Sequence, residues 1–249
     1  YEEWYKAAKK QSSEQFTLTA TGFFGTCVQI VQYCWPQLLK GLGITLGLAA
    51  ITVIFGTIIG GLFALVKLSK NKIVQVIAGV YVELIRGTPL LLQLWLFINI
   101  FSYLTNGNMP MIVSVIIALV INSSAYVAEI IRSGIQSVDK GQNEAAMSLG
   151  MTTTQTLMYV VFPQAIKNSF PSIGNQLIVN IKDSSMLNVI TVTELYFQTT
   201  SVAGSNYRYI ETFMVSAVLY LILTTLASFL LNYLEKRMDS ESSMKDFCS

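Results

Sequence analysis

Asp139–Pro163 reads DKGQNEAAMSLGMTTTQTLMYVVFP, a polar island set between long hydrophobic segments. A soluble insertion in such surroundings calls for a reason. It reads as two short helices. Asp139 can cap the first, with Gln142 three residues on as the other half of a capping box. Ala145, Ala146, Met147 and Leu149 give that helix a small apolar face, and Gly150 falls where a left-handed C-terminal cap is wanted. Thr152 with Gln155 repeats the capping pattern. This second helix is expected to stop before Pro163, whose ring and missing N–H break helices. A helix–Gly–helix hairpin too short to be a domain suits docking into a groove on another protein.

The surroundings are membrane-like. Hydrophobic residues make up 53% of the 249-residue chain and charged residues 12%, with mean hydropathy +0.54, whereas soluble domains carry about 25% charged residues. Several charge-poor runs reach the roughly 20 residues that cross a bilayer, which a merely greasy globular protein would not need. A formal charge of +2 gives no case for nucleic acid. The chain has no histidine, so His-based triads, His general bases and the commoner zinc sites are excluded. Cys27, Cys34 and Cys248 are odd in number and widely spaced, which suits neither a disulfide framework nor a metal cluster. They read as small apolar fillers.

Tyr1–Gln15 is polar and charged, with no evident cleavable signal peptide. The chain opens on Tyr1 rather than Met, as one beginning inside a longer protein would. Phe16–Trp35 reads as an interfacial or partly embedded segment, with Phe23, Phe24, Tyr33 and Trp35 at headgroup level; a sixth membrane helix is the alternative. Gly41–Val66 is the first span. Gly43 and Gly47, and then Gly56, Gly60 and Ala64, are spaced four apart, a small-residue stripe that lets helices approach closely in lipid. Lys67, Lys70 and Lys72 mark the following loop as cytoplasmic.

Ile73–Leu104 is the second span, interrupted at Gly87-Thr88-Pro89, and Met111–Ile131 is the third. After the hairpin come Ile173–Leu195, interrupted by Lys182–Ser185, and Ile210–Leu234, closed by Glu235, Lys236 and Arg237. The expectation is an all-α integral membrane protein with five transmembrane helices, N-terminus outside and C-terminus cytoplasmic. Residues 1–35 form an extracytoplasmic or interfacial segment, 36–237 the membrane domain with its loop at 139–163, and 238–249 a disordered cytoplasmic tail. The basic N-terminal residues and Lys40 fit that orientation poorly, which keeps the sixth span open.

Four motifs stand in order along this frame: Val82-Glu83-Leu84-Ile85-Arg86-Gly87-Thr88-Pro89; Ser124-Ala125-Tyr126-Val127-Ala128-Glu129; Glu144-Ala145-Ala146 followed by Gly150 and Val161-Phe162-Pro163; and Lys182-Asp183-Ser184-Ser185. Together they resemble the permease subunits of bacterial ABC importers of type I, in the polar amino-acid branch, over roughly Tyr33 to Met238. The resemblance implies a MetI-like permease core in the bacterial inner (plasma) membrane. It also implies that the EAA loop is the coupling helix seated in a cleft of the cytoplasmic ATPase, through Gly141, Gln142, Glu144, Ala145, Ala146, Leu149, Gly150 and Pro163. Implied partners are two ABC ATPase subunits, a second permease copy or a paralogue, membrane lipid, and an extracytoplasmic solute-binding protein. Some relatives fuse that binding domain ahead of the permease, and Tyr1–Lys10 could be its last helix. ATP and Mg belong to the partner ATPase, no cofactor to this chain.

The residues agree on that last point, because no Gly-rich loop followed by Lys-Ser/Thr and no GxGxxG occurs. Charges within membrane segments are costly and usually face a cavity or one another. Glu83 and Arg86 in one interrupted segment, and Lys182 and Asp183 with Ser184 and Ser185 in the other, are therefore candidates for the substrate path. Equally, Arg86 with Asp183 and Glu83 with Lys182 would serve as structural pairs. Asn122, Ser123, Ser124 and Tyr126 form a third, uncharged group able to bind a polar solute or to join helices. A permease of this architecture for another small polar solute, a gradient-driven secondary transporter, and a membrane scaffold without transport are the competing functions.

Overall fold

A computed structural model describes residues 22–247 apart from 68 and 70, with side chains through 238. The expectations for Tyr1–Lys10 and for the start of Phe16–Trp35 lie outside these residues. Every regular element described is helical: α1 Phe23–Lys67, α2 Lys72–Arg86, α3 Leu90–Leu104, α4 Met111–Gln136, α5 Lys140–Ser148, α6 Thr153–Thr156, α7 Phe162–Asp183, α8 Leu195–Asn206 and α9 Tyr209–Phe247. A π-helical turn, Leu157–Val161, joins α6 to α7, and a 3-10 turn, Ser184–Ile190, follows α7. The all-α membrane class expected from the sequence is what forms.

Two compact units divide the chain. One contains the described residues up to Gly47 with Ile181–Thr225, the other Leu48–Asn180 and the chain from Leu226 on. In the first, Ile30, Leu38, Leu195, Val202 and Val215 form a buried cluster, with Cys27, Cys34 and Leu42 against it. Both of these cysteines are free, small members of an apolar seam. The chains approach closely at Gly41, where a Cβ would lie 2.9 Å from the Leu195 Cα. Only glycine fits there.

In the larger unit α4 is central, with Val115, Ala118, Ala125, Val127 and Ala128 wholly buried. The Gly56/Gly60 half of the small-residue stripe packs on it. A Cβ on Gly56 would meet the Ser123 hydroxyl at 2.7 Å, and one on Gly60 the Ser124 carbonyl oxygen at 2.7 Å. Gly43 and Gly47 have no such neighbours among the described residues.

Three helices are long and apolar enough to cross a membrane among the described residues: Phe23–Lys67, Met111–Gln136 and Tyr209–Met238. The pair α2 and α3, bent by 112° at the Gly87-Thr88-Pro89 break, makes up to a fourth. Several boundaries differ from expectation. Phe23–Trp35 is not separate from the first span, since α1 runs 45 residues straight through Pro36. No charge or Gly-Pro pair ends the helix there, and one proline costs a single N–H bond, which membrane helices tolerate. Ile173–Leu195 is not one apolar helix, because α7 ends at Asp183 and the 3-10 turn closes on Thr191 with φ +59°. The tail expected to be disordered is helical as far as Phe247.

Candidate functional site

The hairpin is built as a rigid body. Asp139 accepts the Gly141 N–H at 2.6 Å, which caps α5, but neither Gln142 bond of the expected capping box forms among the described residues. At the other end of α5, the Gly150 N–H reaches the Met147 carbonyl at 3.0 Å and the Met151 N–H the Ala146 carbonyl at 3.2 Å. That pair of bonds is a Schellman cap, and Gly150 carries the φ of +86° it requires. Thr152 and Gln155 complete the second box: the Gln155 N–H donates to Thr152 Oγ1 at 3.3 Å and the Thr152 N–H to Gln155 Oε1 at 2.8 Å.

The expected stop before Pro163 does not occur. The π turn widens the helix there, with the Phe162 N–H bonded to the Leu157 carbonyl. Gln164 then turns its side-chain amide back onto the Val160 carbonyl at 2.9 Å. The missing proline N–H is absorbed by this wide turn, and the chain enters α7 without a break. The apolar face of α5 is divided. Ala146 is buried, whereas Leu149 is 85% exposed and Met147, Met158 and Tyr159 also stand out from the hairpin.

Arg86 lies 3.9 Å from Glu129, over the Tyr126 ring at 5.7 Å. Glu129 also holds Lys67 at 3.5 Å and a fork from Arg132, whose Nε donates at 3.0 Å. Three cations thus converge on one carboxylate. The stretch Met111–Ile131 is long enough to fill the roughly 30 Å of hydrocarbon at 1.5 Å per residue, which puts Glu129 at its edge. Arg86 is therefore beside the end of α4 that carries Glu129 and Arg132. Because Gln75 also bonds the Lys67 carbonyl, at 3.0 Å, both ends of α2 are tied to the Lys67 level.

The bend between α2 and α3 is held by a residue the sequence reading missed. Gln93, 4% exposed, donates its amide to the Ile85 carbonyl at 2.6 Å, the Thr88 carbonyl at 3.0 Å and Thr88 Oγ1 at 2.7 Å. Its Oε1 accepts from Asn122 at 2.8 Å. The sequence signal was available: one glutamine in the run LLLQLW just after a Gly-Thr-Pro break. Ser124 bonds Tyr81 at 2.7 Å, and the Tyr81 ring stacks on Phe63 at 4.3 Å. Ser123 is fully buried with no hydrogen-bond partner among the described residues. Asn122, Ser123 and Ser124 are thus held in helix packing.

In the other unit Ser184 bonds the Ile181 carbonyl at 2.8 Å, and Lys182 is exposed. Glu194, also unremarked in the sequence, is wholly buried. Its carboxylate accepts the Tyr196 and Phe197 N–H groups at 2.7 Å each and the Tyr220 hydroxyl at 3.1 Å, capping α8.

Residues 52–240 match the family described as the binding-protein-dependent transport system inner membrane component. The glutamine transport system permease protein GlnP of Escherichia coli K12 is 35% identical over 204 residues, 82% of this chain and 93% of that one. A crystal structure of an amino acid ABC transporter with histidines superposes with TM-score 0.80 at 43% identity, over 88% of this chain and all of the other. An inward-facing structure of the MetNI methionine ABC transporter shares the fold, with TM-score 0.69 at 19% identity over 82% and 97% of the two chains. Membership implies a solute-binding protein and an ATPase as partners and makes the chain a transport component, not an enzyme. This chain belongs to the inner membrane component family of binding-protein-dependent transport systems, the permease subunits of ABC importers.

Proposed function

We propose that the chain is a permease subunit importing a polar amino acid, driven by ATP through the hairpin at residues 139–163. The observation that carries the coupling role is the rigid cap at both joints of the hairpin together with its exposed Leu149, Met147, Met158 and Tyr159. Apolar side chains standing on a polar hairpin lower the free energy when a partner covers them. The rigid joints then let a displaced hairpin carry α4 and α7 with it. Glutamine carriage by the Escherichia coli relative and the amino-acid transporter likeness support the substrate class.

In this reading the membrane is crossed five times, with α3, α4, α7 and α9 following the first span. The N-terminus is outside and the tail cytoplasmic, so that the hairpin and the Lys67–Lys72 loop share the cytoplasmic face. Two ATPase subunits, a second permease copy or a paralogue, and a solute-binding protein or fused domain complete the assembly. ATP and Mg bind the ATPases. Among the candidate substrate contacts, Tyr126, Lys182, Asp183 and Ser185 make no side-chain hydrogen bond within the described residues, which leaves them open to a solute.

Gly150→Pro and Glu144→Arg test the coupling role. Either should abolish uptake in proteoliposomes and weaken ATPase association while the subunit still inserts. Proline cannot adopt a φ of +86° and removes the N–H that Met147 accepts. Normal coupled uptake in either variant refutes the assignment.

A further inference from the structure

We propose that Glu129 is a positioning residue for coupling, the point through which displacement of the hairpin reaches the ends of α1 and α2. It acts this way only if the hairpin is the driven element, as proposed above. The two helices that carry the hairpin are locked together just behind it. At Gly134 of α4 a Cβ would meet Ser169 Oγ of α7 at 2.0 Å and the Ala165 carbonyl oxygen at 2.7 Å. The Asn168 amide donates to Ser137 Oγ at 3.0 Å, and Ser169 Oγ to the Ile130 carbonyl at 3.4 Å. Backbones this close leave no slack, so α4 and α7 follow the hairpin as a pair.

Glu129 lies five residues before Gly134, about 7.5 Å along α4. Arg132, on the same helix, holds its carboxylate in a fork and fixes where it points. The other two cations come from elsewhere: Lys67, the last residue of α1, at 3.5 Å, and Arg86, the last residue of α2, at 3.9 Å. One carboxylate on a hairpin helix thus gathers the ends of two further helices. The Lys67 and Glu129 side chains are 16% and 20% exposed, so salt screens their attraction only in part. Coulomb attraction falls only as 1/r. Both arms therefore stay engaged when α4 shifts by about 1 Å, a shift that breaks a close-packed contact. Without the carboxylate, three cations would face one another, and attraction at the node would become repulsion.

The chain would be reconstituted in proteoliposomes with its ATPase and solute-binding protein. Uptake of a labelled mixture of polar amino acids and ATP hydrolysis would be measured on the same vesicles. Glu129→Gln should keep ATPase association and hydrolysis while uptake per ATP falls at least about fivefold, the low end of coupling between sites. Glu129→Asp keeps the charge and should recover part of that ratio. Lys67→Gln with Arg86→Gln removes both arms, leaves Arg132 on Glu129 and should reproduce the loss. Adding Glu129→Gln to that pair should cost nothing further. An unchanged ratio in Glu129→Gln or in the double variant overturns the proposal, as do additive losses. Uptake and hydrolysis falling in parallel also overturns it, because that is how a merely structural residue behaves. Should Glu129→Gln fail to insert, the double variant alone decides. Gly150→Pro, run alongside, separates the two readings. Its uncoupling beside a normal Glu129→Gln sinks only the node, whereas its normal uptake sinks both.

Discussion

Replacing Ser123 by alanine should stabilise this protein, an unusual outcome for a substitution at a fully buried site. The hydroxyl is inaccessible and has no hydrogen-bond partner among the described residues, and such an orphan costs about 1–3 kcal/mol. Its removal forfeits a few dispersion contacts, so Ser123→Ala should gain about 1 kcal/mol on the same scale. The facing residue supplies a control. Gly56→Ala would put a methyl 2.7 Å from the Ser123 hydroxyl and 2.9 Å from its Cβ, an overpacking that costs about 1–3 kcal/mol. In the double variant the hydroxyl clash is gone and the Cβ clash remains. The two substitutions should therefore couple by about 1 kcal/mol in the relieving direction. Reversible unfolding in mixed micelles, run on all four chains, measures the cycle. A Ser123→Ala chain less stable than its parent by 1 kcal/mol or more, or strictly additive effects, would refute this packing. Uptake by reconstituted Ser123→Ala should match the parent, and lost uptake at unchanged stability would put the hydroxyl on the substrate.

Gln93→Leu removes three acceptors' donor at the α2–α3 bend and strands the Asn122 amide, so it should lose about 2–4 kcal/mol in the same unfolding assay. Glu194→Gln keeps one acceptor and loses the charge that caps α8. It should cost about 1–2 kcal/mol and speed hydrogen exchange at Tyr196 and Phe197, the two N–H groups it holds. Gly150→Ala meets no neighbour within 4 Å but must adopt a left-handed φ, at about 1 kcal/mol. ATPase association should weaken about fivefold while the melting temperature of the membrane part is unchanged.

What could be read from residue order were features whose cause is local. The helical class and the apolar spans follow from composition and run length, because a bilayer leaves every backbone group to be satisfied within its own helix. The hairpin's second capping box and the left-handed Gly150 follow from side chains three residues apart and from the one residue that tolerates positive φ. The break at Gly87-Thr88-Pro89 was equally visible. Its angle was not, because nothing in that tripeptide distinguishes a gently interrupted span from two helices bent by 112°.

Tertiary structure decided that by bringing Glu129 from α4 to Lys67 and Arg86, residues 62 and 43 positions away in sequence. It also made Gln93 a clamp and Glu194 a buried cap, and carried α7 past Pro163 by a π turn. Each of these depends on partners remote in sequence or on a backbone shape no single residue specifies. Local pattern names the elements and their caps. Which charge meets which is settled only when the helices pack.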